Sequence, residues 1–395
     1  MSTTIYKNML LLEGEDLRLR RDGFLAVDSG IIVEAGTGYT GDGIDMTGAI
    51  VFPSFVNAHT HLADHCLKDA AVGLPTAVAV SPPDGIKYRG LAALSQEELV
   101  DSLRAALREM VSCGIAACGE FREGGASGVA ALWAAVTDLP IRAVCFGDAT
   151  VLPADASYEG QIEAVLETAE GIGIGDIARY TDDQITQLAQ RYGRSGPQLA
   201  VHTAETQDAQ SACRARWGES EVARILAASP DLLIHMTCPD PSDFEAVAKA
   251  GTPIVCCSRT NALLADGLPP IDRYHTLGIP LAMGTDNMMF TSPDMFREMD
   301  WFSRSARAAS RRADAIDSRS VIRYATAGGA RALGLHEDLG SLEPGKAACF
   351  VALDARSINL RGTHNVHDAI VHRAGLQDIV SVVAWGSEVI DRRNR

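Results

Sequence analysis

Ten histidines are distributed over the 395 residues, and a few stand out by what precedes them. His59 and His61 lie two apart in Asn57-Ala58-His59-Thr60-His61, at the end of a strand-like run. Side chains at i and i+2 of a strand share a face, so both imidazoles can reach one point while Thr60 faces away. His202 closes Leu199-Ala200-Val201-His202, His235 closes Leu233-Ile234-His235, and Asp286 follows another run in Gly284-Thr285-Asp286-Asn287. Three neutral imidazoles and a carboxylate suit Zn²⁺ or Fe²⁺, with a coordination position left for water. A single strand-end histidine is ordinarily a satisfied polar residue. The signal is the joint pattern, each group at its own strand terminus. Glu205, three residues after His202, is of a kind common at helix starts; in the mouth of a barrel it would carry protons beside an activated water.

These residues need elements that bring their strand ends together. Strand-like runs recur at Phe55–His59, Ile115–Phe121, Ile141–Phe146, Gly171–Ile174 (the weakest), Leu199–His202, Leu232–His235, Pro253–Cys257 and Pro280–Gly284, with helical patterns between most of them. Such alternation predicts an α/β fold and a parallel sheet, and eight runs suit a closed (β/α)₈ TIM barrel, in which all strands end at one face. The helix over 95–112 is the clearest: Ser95 and Glu98 form a capping box, Leu99, Leu103, Leu107 and Met110 share a face, and Gly114 stands at the C-terminal cap. Before residue 50, Phe24–Val27 and Ile31–Glu34 flank a turn at Asp28-Ser29-Gly30. After the helix Ser318–Leu333, strands return at Cys349–Leu353 and Val380–Trp385. Neither end is long enough to bury a core alone. The expectation is therefore a composite β-sandwich from residues 1–50 and 340–395 beside a barrel over 51–339.

Composition limits the function classes. With 47% apolar and 22% charged residues, the chain reads as globular. Lys+Arg 35 against Asp+Glu 51 gives a net charge of −16, which repels nucleic acid and anionic lipid. The nine cysteines form no Cys-x-x-Cys pair and read as reduced thiols. The opening residues turn acidic too soon for a signal peptide, and the apolar run Ala130–Val136 is far short of the roughly 20 residues of a membrane span. A cytoplasmic protein with a small-molecule substrate, no nucleic-acid or membrane partner, and room for a homo-oligomer is expected.

His59-Thr60-His61, His202 with Glu205, His235 and Thr285-Asp286 together resemble the amidohydrolase superfamily, and within it the mononuclear cytosine-deaminase-like and chlorohydrolase-like branch. Gly340-Ser341-Leu342-Glu343-Pro344-Gly345-Lys346-Ala347 is similar to that family's return into its β-sandwich, and Ala325-Thr326 with Ala330-Arg331-Ala332-Leu333-Gly334 to its last barrel helix. The resemblance implies that His59, His61, His202 and Asp286 bind the metal. It implies that His235 bonds the water and the attacked centre, and that Glu205 shuttles the proton. Relatives with two metals usually bridge them by a carboxylated lysine on the fourth strand. The only lysines here are Lys7, Lys68, Lys87, Lys249 and Lys346, none near 171–174, so one divalent cation per chain is expected, Zn²⁺ before Fe²⁺.

The implied activity is hydrolysis of a carbon–nitrogen bond: a deaminase releasing ammonia from an amino-substituted N-heterocycle or amidine by attack of metal-bound hydroxide, with Asp286 accepting the water's proton. Amide ion leaves only when protonated whereas chloride needs no proton, so Glu205 favours deamination over the alternative chlorohydrolase or other amide/amidine chemistry. A non-catalytic scaffold would have no reason to keep this constellation. Glu120 and Arg122, after the second strand, are candidates for substrate contact. Arg259 and Asn261 resemble a pocket-lining family segment, although Cys257-Ser258-Arg259-Thr260 lacks its usual proline. Residues 66–90 form a long loop with Pro82-Pro83-Asp84-Gly85 turn chemistry and the position of a lid; it lacks the tryptophan common in similar nucleoside deaminases. His65 reads as a bystander or a lid residue.

Overall fold

Among the described residues, seventeen strands sort into two sheets according to how each run buries its side chains. The computed structural model describes residues 3–148, 158–192 and 197–393. In chain order the strands are β1 (Thr4–Glu13), β2 (Arg18–Asp28), β3 (Ile31–Thr37), β4 (Ile44–Asp45), β5 (Ala49–Pro53), β6 (Phe55–His61), β7 (Ile115–Arg122), β8 (Arg142–Asp148), β9 (Gly171–Ile174) and β10 (Gln198–Thr203). They continue with β11 (Leu232–His235), β12 (Ile254–Cys256), β13 (Leu281–Met283), β14 (Asp286–Asn287), β15 (Phe350–Asp354), β16 (Ile379–Ala384) and β17 (Ser387–Asp391).

From β6 to β14 the strands are largely buried on both faces, as a sheet covered by helices requires: every residue of β6, β7, β9 and β11 is buried. These strands pair in parallel in the order β13-β12-β11-β10-β9-β8-β7-β6-β14. Asp286 and Asn287 of β14 pair with Thr60 and His61 of β6, while Leu281–Met283 of β13 pairs with β12. Only Gly284 and Thr285 separate β13 from β14, so one broken strand meets both ends of the curled, TIM-like sheet. The weak run at 171–174 is a strand over the expected residues.

Helix Gln96–Ser112 carries the expected capping box between Ser95 and Glu98 and buries Leu103, Leu107 and Met110, with Leu99 half-buried against the core. The stretch expected as one helix from Ser318 is interrupted by a π-helical turn at Tyr324–Gly328. There the backbone presses onto the sheet so closely that a Cβ on Gly328 would stand 2.4 Å from Leu281 O and one on Gly329 2.8 Å from Val56 O.

The remaining strands form a separate, mainly antiparallel sheet in the order β17-β16-β15-β5-β1-β2-β3, with β4 beside β1. β5 joins the two chain ends: it pairs in parallel with β1 and antiparallel with β15. β17 was not foreseen in the sequence; its half-exposed residues lack a buried apolar run. Phe52 of β5 meets Phe55 of β6 with ring centroids 5.4 Å apart, and Phe55 meets Phe296 at 5.0 Å, so the sheets share one apolar core.

Candidate metal centre and active-site cavity

The curled sheet gathers the sequence-selected groups at its C-terminal edge. One ligand-capable atom from each of His59, His61, His202 and Asp286 lies within 4.8 Å of the others, and all four residues are buried. His59 Nε2 is 3.2 Å and His61 Nε2 is 3.6 Å from Asp286 Oδ1. The His59 and His202 rings stand 4.8 Å apart, centroid to centroid.

Each group is aimed by a different local device. Asp286 has φ 59°, a left-handed conformation that costs a non-glycine residue about 1–2 kcal/mol. The kink is stitched down. Asn57 Nδ2 donates to Thr285 Oγ1 at 2.7 Å and Thr285 N donates to Asn57 Oδ1 at 2.9 Å, while the hydroxyls of Thr260 and Thr291 donate to the Thr285 carbonyl. Gly284 permits the close approach, since a Cβ there would lie 2.8 Å from His59 Cβ and 2.9 Å from His59 O. The outer Nδ1 of His202 lies 3.1 Å from Ile174 O at the end of β9, an acceptor that puts the proton on Nδ1 and leaves the Nε2 lone pair facing inward. His61 Nδ1 lies 2.9 Å from Glu123 Oε1, which has the same effect.

His59 supplies the test of whether a cation fits. Both of its ring nitrogens are buried without a hydrogen-bond partner. Buried polar atoms almost always have one, and a cation among four inward-facing ligand atoms is the partner this donor set suits. Burial pushes the His59 pKa down to about 3 and, with its histidine neighbours, drives that of His202 well down, so both rings are neutral as ligation requires. Burial alone would raise the Asp286 carboxyl, but the close His59 ring and the other histidines around it outweigh burial and hold the group ionised. At His61, burial and Lys87 oppose protonation, and Glu123 with Asp286 outweighs them.

His235 and Glu205 stand beside this group. His235 ends β11 with φ 73°, and its Nδ1 lies 3.2 Å from Asn261 Nδ2 and 3.4 Å from Asn261 Oδ1. Its Nε2 is 3.6 Å from Glu205 Oε1. Burial raises the Glu205 carboxyl, so it can hold a proton at a pH where an exposed glutamate could not. Both line a cavity of about 230 Å³ whose walls also include His61, His202, Asp286, Phe121, Lys87, Tyr88 and Phe290. This space suits a small molecule.

The four residues expected to touch substrate sit behind that wall instead. Glu120 and Arg122 are fully buried and pair at 2.9 Å; Glu120 also accepts from Thr60 Oγ1 and Leu62 N, at 2.9 Å each. Burial lifts the Glu120 carboxyl to about 7. Arg259 donates to the carbonyls of Ser292 and Asp294 and faces Glu298 at 3.7 Å. Asn261 is buried against His235. None of the four is among the described residues that line the cavity, because their polar ends are taken up by neighbouring backbone and side chains. His65 turns away to Glu109 at 3.1 Å, and Cys145 is a buried thiol among nine free cysteines. Lys87 and Asp64, neither given a role from the sequence, form a buried charge cluster beside His61 with Glu123. Glu123 follows the noticed Glu120 and Arg122, whereas nothing in the sequence separates Lys87 from a solvated lysine. No helix among the described residues is long and apolar enough to cross a membrane.

A protein of Methanothermobacter thermautotrophicus is 32% identical over 98% of this chain and 100% of its own length. A 5-methylthioadenosine/S-adenosylhomocysteine deaminase of Pelotomaculum thermopropionicum is 27% identical over 98% of this chain and 92% of its own. Among solved structures, an adenosine deaminase from Xanthomonas campestris with bound zinc superimposes with a TM-score of 0.85 at 23% identity, covering 99% of this chain and 93% of that one. Residues 50–387, from β5 to the start of β17, match the amidohydrolase family, and the chain belongs to it.

Proposed function

We propose that the protein is a metal-dependent aminohydrolase that releases ammonia from an amino-substituted nitrogen heterocycle or a related amidine. The observation that carries this reading is the buried group His59, His61, His202 and Asp286, with His59 unpartnered, opening onto a cavity that also presents Glu205 and His235. These four residues would hold one divalent cation, Zn²⁺ in preference to Fe²⁺. A bound cation of this kind lowers the pKa of a coordinated water toward about 7 and supplies Lewis acidity. The chain's own groups do the rest. Asp286, held ionised, takes the proton of the attacking water. His235, fixed by Asn261, orients that water and supports the tetrahedral carbon. Glu205 delivers a proton to the departing nitrogen. Relatives named as deaminases, and the zinc in the adenosine deaminase structure, support the same assignment. Glu120 and Arg122 act from behind the wall through Thr60 and Glu123, and Arg259 anchors the segment carrying Asn261.

Residues 51–339 would form the (β/α)₈ barrel, and the sheet from both chain ends a small sandwich around its own apolar cluster, where Tyr6 meets Phe350 at 5.0 Å. The −16 net charge disfavours nucleic acid as a partner, and the free thiols suit the cytoplasm. The test is an ammonia-release screen of aminopurines, aminopyrimidines, pterins and triazines with the zinc-loaded protein, repeated after chelation. Ammonia released by the loaded protein and lost on chelation is expected. Chloride release from a chlorotriazine without ammonia from any amine would replace this reading with a chlorohydrolase.

A further inference from the structure

Lys87 lies in the first turn of the short helix Ile86–Ala92, in the loop that follows β6, yet its side chain is only 4% exposed. Its Nζ stands 2.5 Å from Glu123 Oε1, 3.2 Å from Asp64 Oδ2 and 2.9 Å from His61 Nδ1. An ammonium has three N–H bonds, and three groups surround this one. Asp64 comes from the 3₁₀ turn Leu62–Leu67, and neither of its buried oxygens has a hydrogen-bond partner, so Lys87 is the charge that offsets it. Glu123 is held from its other side by Arg122 Nη2 at 2.5 Å.

His61 Nδ1 is equally close to Glu123 Oε1 and to Lys87 Nζ, and only one of them can take part in its hydrogen bond at a time. If His61 is to turn a lone pair on Nε2 toward a cation, Nδ1 must carry the proton and donate it to Glu123. The ammonium then serves to hold that carboxylate in place. The same loop supplies Thr76, Val80, Ser81 and Pro82 to the cavity wall.

We infer that Lys87 is a positioning residue that latches the substrate-wall loop to the back of the metal centre through Glu123 and His61, so that cation retention and order of the wall are set together. The cation half of this inference rests on the metal reading above; the loop half does not.

The test uses the full-length zinc-loaded protein, Lys87→Met, and the double variant Lys87→Met/Asp64→Asn, which removes one buried charge of each sign and keeps the question open should the single variant fail to fold. Zinc transfer to a chromophoric chelator, amide hydrogen exchange of residues 68–92, and kcat and KM are measured. In the double variant, zinc transfer is expected to quicken about 10–100-fold, the range typical of lost outer-sphere partners. Exchange over 68–92 should rise while β6 and β7 stay protected, and KM should rise by a larger factor than kcat falls. Wild-type rates of zinc transfer and exchange would overturn the inference, as would a change in only one of the two. If the wild-type chain retains no zinc, the metal reading falls by itself, and unchanged loop exchange in the double variant would then overturn the latch as well.

Discussion

The two walls of the cavity are built on different principles. The metal wall consists of strand ends that carry their groups inward, two of them locked by bonds that reach the backbone: Asn57 to Thr285 beside Asp286, and His202 to the Ile174 carbonyl. The opposite wall is the loop between β6 and helix Gln96–Ser112, with two short helices at Thr76–Ala79 and Ile86–Ala92 and with Val72, Leu74 and Val78 exposed. It is pinned to distant parts of the fold by side chains, chiefly Lys87 in its charge cluster and Thr76, whose Oγ1 donates to Asp266 Oδ1 at 2.8 Å. Sheet ladders hold reacting groups to a fraction of an ångström, whereas a loop on a few side-chain ties changes shape more readily. The contrast teaches that the chemistry rests on the strands and substrate choice on the loop, with Lys87 as the link between them.

That division can be broken by experiment. The largest effect should follow His61→Ala on the metal wall: bound zinc measured by elemental analysis is lost, and turnover falls by more than about 10³-fold. An active, zinc-loaded variant would mean that the strand ends do not hold the cation. Next comes Glu205→Gln, which removes an acid and leaves every expected ligand in place. Zinc content should stay at wild-type level while kcat for ammonia release falls about 10²–10⁴-fold, and full turnover would discard the proton role.

A smaller effect belongs to the loop. Thr76→Val removes the tie to Asp266 and should raise KM about 5-fold, the equivalent of one hydrogen bond, with zinc content unchanged. A fall in kcat alone would erase the distinction between the walls.

The smallest effect lies behind the metal wall. Burial lifts the Glu298 carboxyl from its ordinary 4.5 to about 7, against the pull of Arg259. The folded chain therefore binds more protons than the unfolded chain between those values, and this group's contribution to stability is lost as pH rises through about 7. Glu298→Gln should flatten the fall in melting temperature between pH 5.5 and 8 by about 1–3 °C, and an identical slope in wild type and variant would show the carboxyl already ionised.

Much of the site was legible in the residues themselves. Strand-end positions and the two-residue alternation of His59 and His61 are local properties, so the expected group His59, His61, His202 and Asp286 needed only eight runs and the rule that parallel strands end together. The π-helical turn at Tyr324–Gly328 was not legible, because the reason for it is the contact of Gly328 and Gly329 with strands far away in the chain. Glu120 and Arg122 have the chemistry of substrate contacts, but which way a strand-end side chain turns is decided by what packs around it, and here they bond each other.

The sequence by itself determined the kinds of groups available to a cation, their order along the chain and the sheet that carries them, because strand periodicity and helix capping act over a few residues. Only the tertiary structure decided which charged residues are buried behind the site. Lys87 meets Asp64 and Glu123, and Asn57 closes onto Thr285, across segments 23 to 228 residues apart. Such pairings carry no local signature, since a buried charge is tolerated only where the complete fold delivers its partner.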